Sequence, residues 1–215
     1  MDVLKLSSNR SCIDYAHPMK KLERSFYERE TLDIARDLLG KYMIHDTSDG
    51  RTSGKIVEVE AYVGSKDAAS HAYRDKYTNR TKVMFGPGGH AYVYLIYGIY
   101  YCMNVVTNKE NYPEAVLIRA IEPIDGIDLM KKRRGTDNLL NLCSGPGKLC
   151  AAMEISKVQN GIDLCGETLY LLSGETISPE CIVTTPRINI DYAKEARNYP
   201  WRFIILDNPF VSKGK

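Results

Sequence analysis

The chain has 215 residues, a length that suits one generous domain or two small ones. Hydrophobic residues make up 44% and charged residues 26%, an ordinary globular balance that can bury a core without disulfides or metal. The net charge of +2 gives no argument for a nucleic-acid partner, so any basic surface must come from local clustering.

Residues 1–25 read as a polar lead-in without periodicity, and 26–215 as a single α+β domain. A helix is predicted over 31–39, with Thr31 as N-cap and Gly40 as the stop. Strands follow at 41–47 and 55–62, joined through the turn signal Asp49-Gly50. Strict alternation along the second strand puts Ile56, Glu58, Glu60 and Tyr62 on one face, and Val57, Val59 and Ala61 on the other. Two carboxylates and a phenol on one side mark that face as solvent or a functional cleft. Periodicity leaves Glu58 and Glu60 equivalent.

Residues 64–90 read as a long loop carrying a basic cluster, Arg74, Lys76, Arg80 and Lys82. Strands at 91–96 and 100–107 flank Tyr97-Gly98, which fits a two-residue hairpin loop with Tyr97 at an exposed tip. Arg119 sits inside an apolar strand over 114–121. A helix over about 125–134 ends in four cations, a favourable helix C-terminus. Ser144-Gly-Pro-Gly-Lys148 opens a short helix to Met153 and lacks the spacing of a Walker phosphate loop. Strands at 167–172, 187–190 and 201–206 and a small helix at 192–197 complete the reading.

Chemistry concentrates in the tyrosines. There are 15 Tyr against 4 Phe and 1 Trp, an excess that suits a wet pocket or binding surface. Five of them fall between Tyr92 and Tyr101. Spacing leaves two readings of these rings open: a Tyr-rich sheet surface or protein interface, or stacking on nucleic-acid bases, which is worth roughly 1–3 kcal/mol each. The six cysteines form no Cys-x-x-Cys pair, and the N-terminus has no apolar secretory run. They read as mostly buried thiols in a reducing compartment. The four histidines, His17, His45, His71 and His90, show no zinc spacing, so a metal site is not expected, although ligands distant in sequence could still converge. No run approaches the roughly 18 apolar residues of a membrane helix.

Four segments carry a resemblance. They are Ile-Val-Glu-Val-Glu-Ala-Tyr-Val-Gly at 56–64, Ala-Tyr-Val-Tyr-Leu-Ile-Tyr-Gly-Ile-Tyr-Tyr-Cys-Met-Asn at 91–104, Val-Leu-Ile-Arg-Ala-Ile-Glu-Pro at 116–123 and Leu-Cys-Ser-Gly-Pro-Gly-Lys-Leu-Cys at 142–150. Together they resemble the signature segments of the alkyladenine, or 3-methyladenine, DNA glycosylases, in order from about residue 26 onward. The resemblance implies a curved antiparallel sheet with surrounding helices and a protruding β-hairpin. It implies a monofunctional enzyme that flips alkylated or deaminated purines (3-methyladenine, 7-methylguanine, hypoxanthine, ethenoadenine) out of double-stranded DNA. Such an enzyme hydrolyses the N-glycosidic bond and starts base excision repair without a cofactor.

By motif position, the resemblance makes Glu60 the general base and puts Arg119 beside the attacking water. Tyr62 and Tyr94 sandwich the base, His71 lies near its edge and Asn104 lines the pocket. Tyr97 intercalates, and Thr78, Arg80 and Lys82 contact the DNA backbone. The implied protein is a monomer, in a bacterial cytoplasm near the nucleoid or in a eukaryotic nucleus. The alternative is a non-catalytic binder of damaged DNA or RNA that uses the same tyrosines without water activation.

Overall fold

A computed structural model describes residues 19–213; Cys12, His17 and most of the polar lead-in lie outside them. Among the described residues, four α-helices and eight strands follow in chain order. They are α1 (Arg24–Tyr27), α2 (Thr31–Leu38), β1 (Tyr42–Thr47), β2 (Gly50–Tyr62), β3 (Ala91–Ile96), β4 (Tyr100–Thr107), β5 (Glu114–Pro123), α3 (Ile127–Arg134), α4 (Pro146–Ala152), β6 (Leu169–Leu172), β7 (Ile182–Thr185) and β8 (Arg202–Ile205). The sheet is antiparallel and curled, in the order β3-β4-β5-β2-β1-β6. β2 is long enough to hold β5 along one edge. Its other edge is shared, with β1 on its first half and β8 at Glu58–Glu60. No helix among the described residues is long and apolar enough to cross a membrane.

Alternation divides the sheet into two faces. Val93, Met103, Val105, Val116 and Ile118 join Val59 and Ala61 in the main core, where α2, α3 and α4 contribute Ile34, Leu38, Met130 and Leu149. The intervening residues Tyr92, Tyr94, Cys102, Asn104, Leu117 and Arg119 turn the other way, and all line one cavity. The period-2 pattern thus builds a greasy side and a chemical side from the same three strands.

The face predicted for β2 needs one correction. Ile56 packs in the core with Val59 and Ala61, not beside Glu58. The register shifts between Ile56 and Glu58 and again between Glu58 and Val59. Such a β-bulge inserts an unpaired residue, which reverses the alternation and bends the strand. The bend falls where Glu58 and Arg119 meet.

Helix α2 ends at Leu38, and Gly40 takes a left-handed φ of 80°, as a helix stop requires. Its N-cap is Glu30, one residue earlier than predicted, and makes no side-chain cap. Thr31 is already helical, and its hydroxyl is used across the fold, at 2.7 Å from Thr107 Oγ1 and 2.5 Å from Glu114 Oε2. The long loop after β2 folds into three short turns, Gly64–Lys66, Tyr73–Asp75 and Lys82–Phe85. It packs Ala72 and Met84 against Tyr92, Val106 and Ala115, so it roofs part of the chemical face.

The strand predicted at 187–190 does not form. The strand nearest in sequence is β7, and Ile188 gives its N–H to the Glu60 carboxylate instead of to a ladder. The small helix near 192–197 is a kinked 3-10 run over Asp191–Asn198. Of the lead-in, Lys21 bridges to Leu172 and Leu22 is buried, so the chain is docked on β6 before residue 25.

Candidate active site

The chemical face and its roof enclose a cavity of about 610 Å³. That lies within the span of roughly 300–1,000 Å³ usual for small-molecule sites. Tyr62, His71, Tyr94, Tyr97, Asn104 and Arg119 all line it, although they come from four separate stretches of chain. The structure therefore brings together most of the residues singled out from the sequence.

Arg119 is held between the two carboxylates that periodicity could not separate. Its Nε donates to Glu58 Oε1 at 2.8 Å, and its Nη1 lies 3.3 Å from Glu60 Oε1. The side chains of both glutamates are fully buried, and that of Arg119 nearly so. A buried arginine demands partners of this kind, because an unpaired buried charge is strongly destabilising.

The two glutamates have different company. Glu58 also accepts from Arg202 Nε at 2.7 Å and from the Ser212 N–H and hydroxyl at 2.7 and 2.9 Å. Burial alone would raise its pKa, but Arg119, Arg202 and Ser212 outweigh burial and hold the carboxyl below the ordinary range. Arg202 and Ser212 are not part of the cavity wall. Glu60 accepts from the Tyr62 hydroxyl at 2.9 Å and the Ile188 N–H at 2.7 Å, with Arg119 beside it. All three of those neighbours line the cavity. Glu60 thus sits immediately behind the cavity wall, and Glu58 is built into the fold.

The upper wall is aromatic. His71 stands edge-on to Tyr94 with ring centroids 4.6 Å apart, and Tyr94 lies 5.3 Å from Tyr92. The His71 Nδ1 is 2.9 Å from the Tyr92 hydroxyl. Burial, then Arg80 and Lys76, push the His71 pKa down to about 4, so the ring is neutral at ordinary pH. Burial likewise raises Tyr92 to about 12. Asn104 donates from Nδ2 to the Tyr92 carbonyl at 3.1 Å, which fixes its amide across the β3–β4 pair.

Three residues expected at the DNA backbone lie in different settings. The guanidinium of Arg80 rests 4.8 Å over the Tyr94 ring and 3.4 Å from His71 Nε2, inside the cavity mouth. Thr78 uses its N–H and hydroxyl on Thr81, at 2.9 and 3.1 Å, and so shapes its own turn. Lys82 is exposed at the start of the next turn.

The loop joining β3 and β4 has three residues, Tyr97-Gly98-Ile99, because Ile96 pairs with Tyr100. Tyr97 is 72% exposed and Ile99 68%. Tyr97 also holds a left-handed φ of 53°, a conformation costing an L-residue roughly 1–2 kcal/mol. An exposed apolar ring kept at a strained tip points to use against a partner. Pro146 and Gly147 of α4 also line the cavity. A Cβ on Gly147 would come within 3.0 Å of the Tyr100 Cβ, so the bare Gly147 is what lets α4 approach the β3–β4 pair.

Sequence reasoning passed over the segment 187–192. Arg187, 0% exposed in its side chain, forms a two-pronged ion pair with Asp67 and lies 4.7 Å over the Tyr62 ring. Ile188, Asn189, Ile190 and Tyr192 complete the cavity wall. No motif marked it: Arg187 follows Thr184-Thr185-Pro186 and precedes Ile-Asn-Ile, without the apolar run that surrounds Arg119.

The methylpurine-DNA glycosylase family model matches residues 25–209. A protein of Alkaliphilus oremlandii described as "Putative 3-methyladenine DNA glycosylase" is 55% identical over 201 residues, spanning 90% of this chain and 99% of its own length. Proteins with the same description from Clostridium acetobutylicum and Bacillus cereus are 54% and 50% identical, over 89% and 88% of this chain and 97% of each relative. With the family model spanning almost the whole described fold and half the residues shared with these relatives, the chain belongs to the methylpurine-DNA glycosylase family.

Proposed function

We propose that this protein is a monofunctional DNA glycosylase that takes alkylated or deaminated purines out of double-stranded DNA and hydrolyses their N-glycosidic bond, the opening step of base excision repair. Residues 26–215 form the catalytic domain in this reading, and residues 1–25 an N-terminal extension. The observation that carries it is the linked set Tyr62–Glu60–Arg119 at the wall of a tyrosine-lined cavity.

Flipping a base costs a few kcal/mol, and less for a damaged or mispaired one. Tyr97 enters the duplex and fills the gap, as wedge side chains do. The extruded purine lies between Tyr62 and Tyr94, with His71 at its edge. Alkylated purines carry positive ring charge, which tyrosine faces attract. His71, being neutral, adds no repulsion. Asn104 discriminates against guanine through the exocyclic amine that hypoxanthine lacks.

Bond cleavage builds positive charge on the sugar, which a nearby carboxylate stabilises. Glu60 also takes the proton of the attacking water, a contribution of roughly 10²–10⁴-fold. Arg119, with its Nη1 3.3 Å from Glu60 Oε1, pairs with that carboxylate and holds it in place. Thr78, Arg80 and Lys82 hold phosphates, so affinity falls with salt. In this reading the protein acts as a monomer in the cytoplasm, close to the nucleoid.

The test is incubation with duplexes carrying a single hypoxanthine, ethenoadenine or 7-methylguanine, followed by alkali. Alkali-dependent nicking at the lesion is expected. Folded protein that binds these duplexes and leaves every one intact would be a damaged-DNA binder instead.

A further inference from the structure

Arg187 and Asp67 have fully buried side chains and face each other as a fork, Nη1 to Oδ2 at 2.5 Å and Nη2 to Oδ1 at 2.8 Å. Asp67 also accepts the N–H groups of Val63 and Ala69 at 3.2 and 3.0 Å, which pins the loop that leads to His71. The guanidinium donates further to the carbonyls of Ala61 at 2.8 Å and Ala196 at 3.2 Å. Its Cζ lies 4.7 Å from the Tyr62 ring centroid and 5.1 Å from that of Trp201. Tyr62 lines the cavity and Arg187 does not, so the guanidinium lies behind the ring. The next residue, Ile188, gives its N–H to Glu60 at 2.7 Å.

One side chain therefore braces the rear of Tyr62, the backbone between Glu60 and Tyr62, and the segment that donates to Glu60. We propose that Arg187, with Asp67, is a positioning residue that fixes the base-stacking ring and the carboxylate as one rigid unit; this deepens the glycosylase reading and rests on it. Neither residue reaches the base or the water. Lysine cannot replace the fork, since it offers a point charge where four acceptors converge on a planar guanidinium. The pairing has a second consequence. Asp67 neutralises the charge behind Tyr62, so a cationic base can stack on the front of that ring without repulsion across it.

The test uses the full chain with two substitutions, R187K and D67N. It measures single-turnover excision of 7-methylguanine, a cationic lesion, and hypoxanthine, a neutral one. Circular dichroism and binding of undamaged duplex are followed alongside. R187K is expected to lower the rate on both lesions about 100-fold, the scale of a small misplacement of reacting groups, while undamaged duplex binds as before. D67N leaves a net positive charge behind Tyr62 and is expected to lower the 7-methylguanine to hypoxanthine rate ratio roughly tenfold. That ratio is internal to one preparation, so partial unfolding does not change it. A wild-type rate in folded R187K, or an unchanged ratio in D67N, overturns the positioning role and leaves the glycosylase reading standing. A wild-type protein that releases no base overturns that reading and this inference together.

Discussion

The Tyr62 hydroxyl donates to Glu60 Oε2 at 2.9 Å, so the ring assigned to grip the base and the carboxylate assigned to attack through water are joined by one hydrogen bond. Removing it as Y62F keeps the stacking ring. A hydrogen bond to a charged group is worth about 1.5–3 kcal/mol. Single-turnover excision should fall by one to two powers of ten, with lesion affinity retained. Loss of affinity without loss of rate would place the hydroxyl in base binding instead.

Glu58 and Glu60 should separate cleanly on mutation. E60Q is expected to bind lesion duplex and release no base. E58Q leaves Arg119 and Arg202 facing an amide in a buried site and should destabilise the fold by about 3–5 kcal/mol, read by denaturant unfolding. Turnover retained in E60Q would move the general base elsewhere.

Tyr97 is tested through flipping. Y97S removes an exposed ring, so the melting temperature should stay where it is. The fluorescence change of a flipped ethenoadenine should shrink, because nothing fills the gap in the stack. An unaltered signal would assign the exposed tip to another use.

His71 gives a pH signature. Its pKa is lowered to about 4 by burial first and then by Arg80 and Lys76. The unfolded chain therefore binds a proton near its usual value of about 6.5 while the folded chain does not. His71 contributes stability above that pH, and the contribution is lost as pH falls from there toward 4. Its ring proton resonance should titrate with a midpoint near 4. A midpoint at the ordinary value would mean that the ring is solvated and not walled in by Tyr92 and Tyr94.

Arg80 rests on the Tyr94 ring in the free protein, where a flipped base is proposed to stack. If it swings to a phosphate on binding, R80A should weaken damaged and undamaged duplex alike. The slope of log affinity against log salt should then fall by about 0.9, one phosphate's share. Tighter lesion binding by R80A would identify the guanidinium as a plug that competes with the base.

The sequence carried more of this protein than its modest charge suggests. Alternation alone put Tyr92 with Tyr94 and opposed Val59 to Glu60, and the motif segments carried the family. Period-2 reasoning failed at Ile56, because a bulge is invisible to a rule that assumes unbroken pairing. It failed again at 187–190, where the alternating Arg-Ile-Asn-Ile reads as a strand unless a distant carboxylate claims its backbone.

By itself the sequence assigned the strand residues of the chemical face, Ile56 apart, since strand alternation is a local property. It could not choose between Glu58 and Glu60, which share that face. The tertiary structure separates their environments: Arg202 and Ser212 saturate Glu58, while Tyr62 and Ile188 bring Glu60 to the cavity wall. Apart from the Tyr62 bond, which spans two positions, the bonds that make this difference run to residues 128–154 positions away in the chain. Only folding brings such partners within reach, which is why local pattern could nominate the carboxylates and not decide between them.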